Sequence, residues 1–195
     1  MMLEKLKKWA KKESIHKDIF DIVLFGSYAK GKARPNDLDI AVIFKTLPLK
    51  ERLLVVQELK RKLTLAIKNT VKGDIKIDMK GILWQELFEY SFFGRTGIIW
   101  EGISLLTGKL FAEKIGFLSS ALFIYDLQDK SHTEKVKINY ILKGRNKGLG
   151  MVQKLQGKHL APGVVEIPAG YALEFEEVLK KQKIRFVRRN ILVQG

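Results

Sequence analysis

The residues most able to do chemistry are concentrated in residues 24–42, LFGSYAKGKARPNDLDIAV. This segment contains Gly26-Ser27 at the end of an apolar run and, after a basic stretch, the carboxylates Asp37 and Asp39 two positions apart. In an extended strand that spacing puts both carboxylates on one face and the residue between them on the other. Two neighbouring carboxylates repel each other unless a cation lies between them. The pair therefore predicts a site for a hard divalent cation, Mg²⁺ or Mn²⁺.

Gly26 and Ser27 predict a phosphate-binding site beside that pair. A glycine lets backbone amides approach a ligand closely, and amides at the start of a helix bind anions. Lys30, followed by Lys32 and Arg34, either reaches the phosphates of a nucleotide or remains a solvated charge of the loop. Phosphate-binding amides next to paired carboxylates indicate metal-assisted phosphoryl or nucleotidyl transfer.

Hydrophobic patterning predicts the elements that must position these residues. Apolar runs rich in β-branched residues indicate strands, and apolar residues at helical spacing, from Leu53 onwards, indicate a long helix. The predicted elements are strands over 18–25, 37–44, 74–79 and 97–106 and helices over 49–70 and 83–93. Their order predicts a small α/β unit with a mixed sheet.

The rest of the chain has a different pattern of predicted elements. These are strands over 119–127, 164–168 and 184–193 and helices over 132–143, 149–155 and 171–182. Ser131 and Glu134 have the spacing of a capping box at the start of the first of these helices. We therefore expect a boundary near residues 107–118, with a domain over residues 1–106 and a smaller α+β domain over residues 107–195.

The segment from Gly26 to Asp39 resembles the signature of the DNA polymerase β-like nucleotidyltransferase superfamily, and it is most similar to the minimal nucleotidyltransferases. The shared letters before the acids are Gly26, Ser27, Tyr28, Ala29, Gly31, Ala33, Arg34 and Pro35. The resemblance covers residues 1 to about 106 and implies a nucleotidyltransferase core, a mixed sheet flanked by helices. No family resemblance is apparent in the remainder.

The resemblance also implies a mechanism with two metal ions. Asp37 and Asp39 would bind both Mg²⁺ or Mn²⁺ ions, and a third carboxylate would bind the ion beside the attacking hydroxyl. Gly26-Ser27 would bind the β- and γ-phosphates of a nucleoside triphosphate such as ATP. Two such ions stabilise the attacking and leaving oxygens of an in-line displacement, here with release of pyrophosphate.

The third carboxylate has two candidates on the predicted strand 74–79. Asp74 and Asp78 are four residues apart and therefore share a face, so spacing alone does not choose between them. Asp78 lies between Ile77 and Met79, where an ionised carboxylate is costly without a cation. The resemblance favours Asp78 as well, because relatives carry the third acid between two apolar residues.

The charge of the chain favours a polyanionic partner. Thirty-six Lys and Arg against 21 Asp and Glu leave a net charge of +15, which attracts nucleic acid and nucleotide phosphates. Cysteine is absent, which excludes a disulfide framework, a cysteine nucleophile and a thiolate metal site, and three scattered histidines argue against a His-rich zinc centre. No apolar run is long enough for a membrane span, so we expect no membrane partner and a cytoplasmic location.

Basic clusters in residues 107–195 indicate where a polyanion would bind. The clusters are Lys143, Arg145 and Lys147, and Lys180, Lys181, Lys183, Arg185, Arg188 and Arg189. We expect the cations of the last strand to share one face. The leading hypothesis is a nucleotidyltransferase that moves an NMP or dNMP from a nucleoside triphosphate to a hydroxyl on nucleic acid. The alternatives are an antitoxin-like enzyme that modifies a partner protein and a nucleic-acid-binding protein with an inactive site.

Overall fold

The computed structural model divides the chain into two compact units, Met1–Ile115 and Gly116–Gly195. The described residues are 2–13, 16–29, 37–68, 75–92, 94–145 and 148–194. The segment expected to separate two domains, residues 107–118, contains this division. The domain ranges 1–106 and 107–195 stay a prediction.

The first unit is built around a four-stranded mixed sheet. Its elements are α1 (Met2–Glu13), β1 (Ile19–Phe25), α2 (Gly26–Ala29), β2 (Asp37–Phe44), α3 (Leu49–Ile67), β3 (Lys76–Leu83), α4 (Arg95–Ile99), β4 (Ile103–Ser104) and α5 (Phe111–Lys114). The strand order is β3-β2-β1-β4, in which β1 is antiparallel to β2 and β4 while β2 is parallel to β3. The predicted α/β class with a mixed sheet flanked by helices is confirmed.

Apolar residues cover both faces of this sheet. On one face β1, β2 and β3 pack against α1 and α3; this cluster includes Leu6, Trp9, Ile22, Leu24, Leu38, Ile40, Leu59, Leu63, Ile77 and Met79. On the other face a second cluster comprises Val23, Ala41, Ile43, Ile82, Leu87, Ile98, Ile99 and Phe111. The sheet is therefore the middle layer of the unit, as expected for strands that read as nearly continuous apolar runs.

The predicted strand over 97–106 is wrong for most of its length. Arg95–Ile99 forms the helix α4, and only Ile103–Ser104 is extended. A helix was expected around 83–93, and the described residues there form a shorter 3₁₀ helix over Gln85–Phe88. A short apolar run such as GIIW is compatible with either a buried helix or a buried strand. Here the run forms a helix whose apolar side chains are buried on the second face of the sheet.

Helix α3 buries an arginine where the sequence pattern places a leucine. Leu53 is 53% exposed, whereas Arg52, one residue earlier, is only 5% exposed. The Arg52 guanidinium donates hydrogen bonds of 2.8 and 3.0 Å to the two carboxylate oxygens of Glu86. These bonds lower the pKa of the Glu86 carboxyl. Arg52 and Leu53 lie four and three residues before the buried Val56, so helical spacing allows either of them on the buried side. The ion pair with Glu86 favours Arg52 in that position.

A fully buried acid, Asp21, lies on β1 beside the second apolar cluster. Its Oδ1 accepts hydrogen bonds from Ser104 Oγ at 3.0 Å and from the backbone N–H of Ile22 at 2.7 Å, and Lys114 Nζ lies 3.0 Å from Oδ2. Burial raises the pKa of the Asp21 carboxyl, although Lys114 and Ser104 act to lower it. The ion pair thus fastens α5 to the sheet.

Replacing Lys114 with Ala is expected to destabilise the protein by about 3–5 kcal/mol, because it leaves a buried carboxylate without its counter-charge. Without Lys114 the pKa of Asp21 rises further, so the variant loses stability more steeply than wild type as pH increases through that pKa. Urea unfolding at pH 5 and pH 8 measures both effects. The control is Lys109→Ala, which removes an exposed lysine 3.9 Å from Glu113; equal losses in the two variants would contradict the expectation.

The second unit has an antiparallel sheet of its own. Its elements are β5 (Phe117–Asp126), α6 (His132–Lys143), α7 (Met151–Lys154), β6 (Lys158–Ala161), β7 (Val164–Pro168), α8 (Ala172–Lys181) and β8 (Arg185–Gln194). The strand order is β6-β7-β5-β8. The capping box at α6 is present, with Glu134 N–H donating to Ser131 Oγ at 3.3 Å and Ser131 N–H donating to Glu134 Oε2 at 2.9 Å. Strand β6 was not predicted.

None of the helices in the described part of the chain is long and apolar enough to cross a membrane.

Candidate active site

The carboxylates singled out in the sequence come together where β2 and β3 begin. These two strands are parallel, and Asp39 pairs directly with Asp78 in their register, while Asp37 pairs with Lys76. Laterally paired residues on neighbouring strands have Cα atoms about 4.8 Å apart, and residues i and i+2 of a strand are about 6.6 Å apart. Asp39 is therefore the middle member of the set, beside Asp78 and two residues after Asp37.

All three carboxylates occupy the same face of the sheet. On β2, Asp37 and Asp39 alternate with Leu38 and Ile40, which are fully buried in the cluster under α1 and α3. Asp78 alternates in the same way with its buried neighbours on β3, and each of the three acids is only partly buried. The face is thus polar where the strands begin and apolar further along, from Ala41 onwards.

The electrostatics of the site are those of crowded negative charge. Burial raises the pKa of the Asp39 carboxyl, and the neighbouring charges of Asp37 and Asp78 raise it further. Lys80 opposes this shift, and its Nζ lies 3.5 Å from Asp78 Oδ2. Repulsion among carboxylates disfavours the ionised state, and a bound cation relieves it.

On the other side of β2, the end of β1 lies beside Asp39. Phe25, the last residue of β1, pairs with Asp39, and Gly26 follows with a φ of +72°. A Cβ added at Gly26 would overlap Asp39 Oδ2 and would lie 2.9 Å from Asp39 Cγ. The position therefore requires glycine both for its backbone conformation and for the close approach of the backbone to the carboxylate. Ser27 follows within α2.

Several residues considered in the sequence lie outside the described residues. They include Lys30, the candidate phosphate ligand, with Lys32 and Arg34, as well as Asp74, the competing third acid, and Lys147 of the first basic cluster. Their roles stay predictions. The structure brings together Asp37, Asp39 and Asp78 with Gly26 among the residues that it does describe.

The chemistry of the donor set decides whether a metal ion fits this site. Within the described ranges, no group of three or more His, Cys, Asp or Glu side chains has the geometry to hold a metal ion as it stands. The residues present nevertheless fit a hard divalent cation, because Asp37, Asp39 and Asp78 offer carboxylate oxygens from one face, and because burial and then the charges of Asp37 and Asp78 raise the pKa of Asp39.

Two lysines flank Asp78, and neither of them was given a role from the sequence. Lys76 and Lys80 lie two positions before and after it on β3, and both are exposed. The alternation of KIDMK was the available signal, since residues at i−2 and i+2 of a strand share the face of residue i.

The expectation that the cations of the last strand share one face is wrong. Arg188 pairs with Phe123 in the β5–β8 register, whereas Arg189 pairs with the next residue, Leu122. Adjacent strand residues point to opposite faces. Arg188 Nη1 lies 2.8 Å from Glu176 Oε2, and Arg185 Nη2 lies 3.2 Å from Asp129 Oδ2. Part of the basic charge in this unit therefore serves internal ion pairs.

Comparison with known proteins places residues 4–86 within the family model described as Polymerase beta, Nucleotidyltransferase. No curated protein sequence matches the chain significantly. A chain of a toxin–antitoxin crystal structure with AMP-PNP is 23% identical with a TM-score of 0.38, over 59% of this chain and 80% of that one. A Sulfolobus solfataricus protein provisionally assigned as a nucleotidyltransferase is 18% identical with a TM-score of 0.34, over 53% and 78%. Structural likenesses of this size leave the function to be argued from the site.

Proposed function

From the match of residues 4–86 to the nucleotidyltransferase domain of the polymerase β family, we propose that the protein transfers a nucleoside monophosphate from a nucleoside triphosphate to a hydroxyl group. The observation that carries the proposal is the pairing of Asp39 with Asp78 across two parallel strands, with Asp37 two residues away on the same face. A family core that had lost its activity would have no need to retain three mutually repelling carboxylates.

Asp37, Asp39 and Asp78 would hold two Mg²⁺ or Mn²⁺ ions. When bound, these ions supply Lewis-acid stabilisation of the charge that develops on the attacking and leaving oxygens. The fit rests on the oxygen-only donor set and on the raised pKa of Asp39, which burial produces first and the two neighbouring carboxylates increase. Gly26 follows β1, Asp37 and Asp39 lie on the neighbouring strand β2, and Asp78 lies on β3, on the far side of β2. We therefore assign Asp78, the third acid, to the acceptor side of the site.

The transfer itself is an in-line displacement at the α-phosphorus. A bond forms between the acceptor oxygen and the α-phosphorus, and the bond from that phosphorus to the oxygen bridging to the β-phosphate breaks, so pyrophosphate leaves with that electron pair. Asp78 orients the hydroxyl and accepts its proton, which then passes to solvent. The acceptor oxygen thereby gains the nucleophilic character that a neutral hydroxyl lacks.

The triphosphate would lie against the turn that follows β1. Because Gly26 has no side chain, its backbone can approach an anion on the same side as Asp39. The backbone amides of Gly26 and Ser27 would bind the β- and γ-phosphates, and Lys30 would add a positive charge to them.

The acceptor in this proposal is a nucleic acid. The net charge of +15 supports it, since such a field concentrates polyanions at the protein surface. The second unit would contribute to binding through those of its basic residues that are not engaged with Glu176 or Asp129.

The proposal is tested by incubating the purified protein with each α-labelled NTP or dNTP, Mg²⁺ or Mn²⁺, and a short DNA or RNA. We expect label to enter the oligonucleotide with one pyrophosphate released per transfer, and both signals to require the metal. Label that enters protein instead would identify a protein acceptor. Absence of both signals with every nucleotide and acceptor would contradict the proposed activity.

A further inference from the structure

Two exposed lysines flank the third carboxylate on its own strand. Lys76, Asp78 and Lys80 occupy alternate positions of β3 and therefore share a face. Each lysine Cα lies about 6.6 Å along the strand from that of Asp78. Among the strands that the structure describes, β3 lies at one edge of the sheet, so these side chains border the site on its outer side.

The contact between Lys80 and Asp78 is too weak to give Lys80 a mainly structural role. Lys80 Nζ lies 3.5 Å from Asp78 Oδ2, and the two side chains are 63% and 44% exposed. Exposed pairs of this kind contribute little to stability. Lys80 is thus available to bind an anion that approaches Asp78.

The strand order places these lysines on the opposite side of Asp39 from the turn that follows β1, where the triphosphate would lie. In the order β3-β2-β1, Asp39 lies on the central strand, Gly26 follows β1 on one side, and Asp78 lies on β3 on the other. In an in-line displacement the nucleophile arrives from the side opposite to the leaving group. If pyrophosphate leaves on the Gly26 side, the acceptor enters along β3.

We propose that Lys76 and Lys80 bind the backbone phosphates of a nucleic-acid acceptor whose terminal hydroxyl lies against Asp78. This inference rests on the proposed nucleotidyl transfer and deepens it by assigning the acceptor contacts. A hydroxyl at the end of a nucleic acid carries phosphates beside it, and lysines bind phosphate as point charges. A serine, threonine or tyrosine hydroxyl on a protein brings no such charge.

The first test is binding, which needs neither metal nor catalysis. Lys76→Gln/Lys80→Gln in the full-length protein is compared with Lys50→Gln/Lys60→Gln, which removes the same charge from exposed positions of α3. The probe is a fluorescein-labelled 12-nucleotide single strand, as DNA and as RNA, followed by anisotropy. We expect Kd to rise about tenfold for the β3 variant, and the log–log salt slope to fall by about 0.7 per lost contact.

The second test is kinetic, with the same two variants. For the β3 variant we expect the acceptor KM to rise about tenfold, with the KM for the nucleoside triphosphate changed less than about twofold. The α3 variant should leave both constants near wild type. A rise in the nucleotide KM in place of the acceptor KM would assign the lysines to the triphosphate and overturn the inference.

The two tests separate failure of this inference from failure of the proposed function. If wild type transfers NMP to oligonucleotides and the β3 variant matches the α3 variant in Kd and KM, the inference is wrong and the activity stands. If wild type transfers nothing but its oligonucleotide affinity falls in the β3 variant alone, the lysines bind nucleic acid and the activity is wrong. If wild type does not bind either oligonucleotide at low salt, the inference is wrong.

Discussion

Replacing Asp39 with Asn is expected to lower the rate of nucleotidyl transfer by about 10³-fold, because several kcal/mol of transition-state stabilisation depend on the ligands of the metal ions. Asp39 is the central carboxylate, beside Asp78 in register and two residues after Asp37, so its loss affects the whole set. The measurement is the single-turnover rate of label incorporation from an α-labelled nucleoside triphosphate at saturating Mg²⁺.

The same variant is expected to keep or raise thermal stability when metal is absent. The pKa of the Asp39 carboxyl is raised, first by burial and then by the neighbouring acids. For an acid with a raised pKa, stability is lost as pH rises through that pKa, since ionisation then opposes folding. The Asn variant lacks this loss and should melt at or above the wild-type temperature near pH 7. Mg²⁺ should stabilise wild type more than the variant.

Asp129→Asn is the matched control for charge removal. Its hydrogen bond from Arg185 lowers the pKa of Asp129, so its ionisation favours folding and the variant should melt at or below the wild-type temperature. It should leave the transfer rate near wild type. Near-normal transfer by Asp39→Asn, or a rate loss in both variants, would contradict the assignment of Asp39.

The second large effect is expected for Gly26→Ala. The added Cβ would overlap Asp39 Oδ2 and lie 2.9 Å from Cγ, so the carboxylate must move. The φ of +72° adds about 1–2 kcal/mol of strain for any L side chain. We expect the transfer rate to fall about 100-fold, since displacement of a metal ligand by even 1 Å is costly to catalysis.

Gly116→Ala separates backbone strain from displacement of the carboxylate. Gly116 has a φ of +85°, and an added Cβ there meets no atom of the described residues within 4 Å. Both variants should lose about the same stability from strain in urea unfolding, but only Gly26→Ala should lose activity and Mg²⁺-dependent stabilisation. Equal activity in the two variants would mean that the turn after β1 does not support Asp39.

The strands that carry the site could be predicted because their apolar runs are unambiguous. Strand β2 spans Asp37–Phe44 as expected, and β1 ends at Phe25, directly before Gly26. The spacing of the two acids within the motif is enough to identify them as a pair. The register that puts Asp39 beside Asp78 could not be deduced, since strand pairing depends on contacts between residues far apart in the chain.

Buried charges were the features that local patterns could not reveal. Asp21 lies within an apolar run, and its partner Lys114 is on a short helix near the end of the unit. Arg52 is buried because its guanidinium forms an ion pair with Glu86. In both cases a partner far away in the sequence allows a charged residue to be buried, which the periodicity of apolar residues does not predict. The lysines beside Asp78 were given no role for another reason, since charge on an exposed strand is ordinarily solvated.

The most direct test of the central claim, that Asp37, Asp39 and Asp78 form one metal-binding nucleotidyltransferase site, is anomalous diffraction from crystals grown with Mn²⁺ and a non-hydrolysable nucleoside triphosphate. We expect two Mn²⁺ peaks, both bound by Asp37 and Asp39 and one also by Asp78, with the β- and γ-phosphates on the amides of Gly26 and Ser27. Bound nucleotide with Mn²⁺ away from these carboxylates, or with Asp78 replaced by another ligand, would contradict the account.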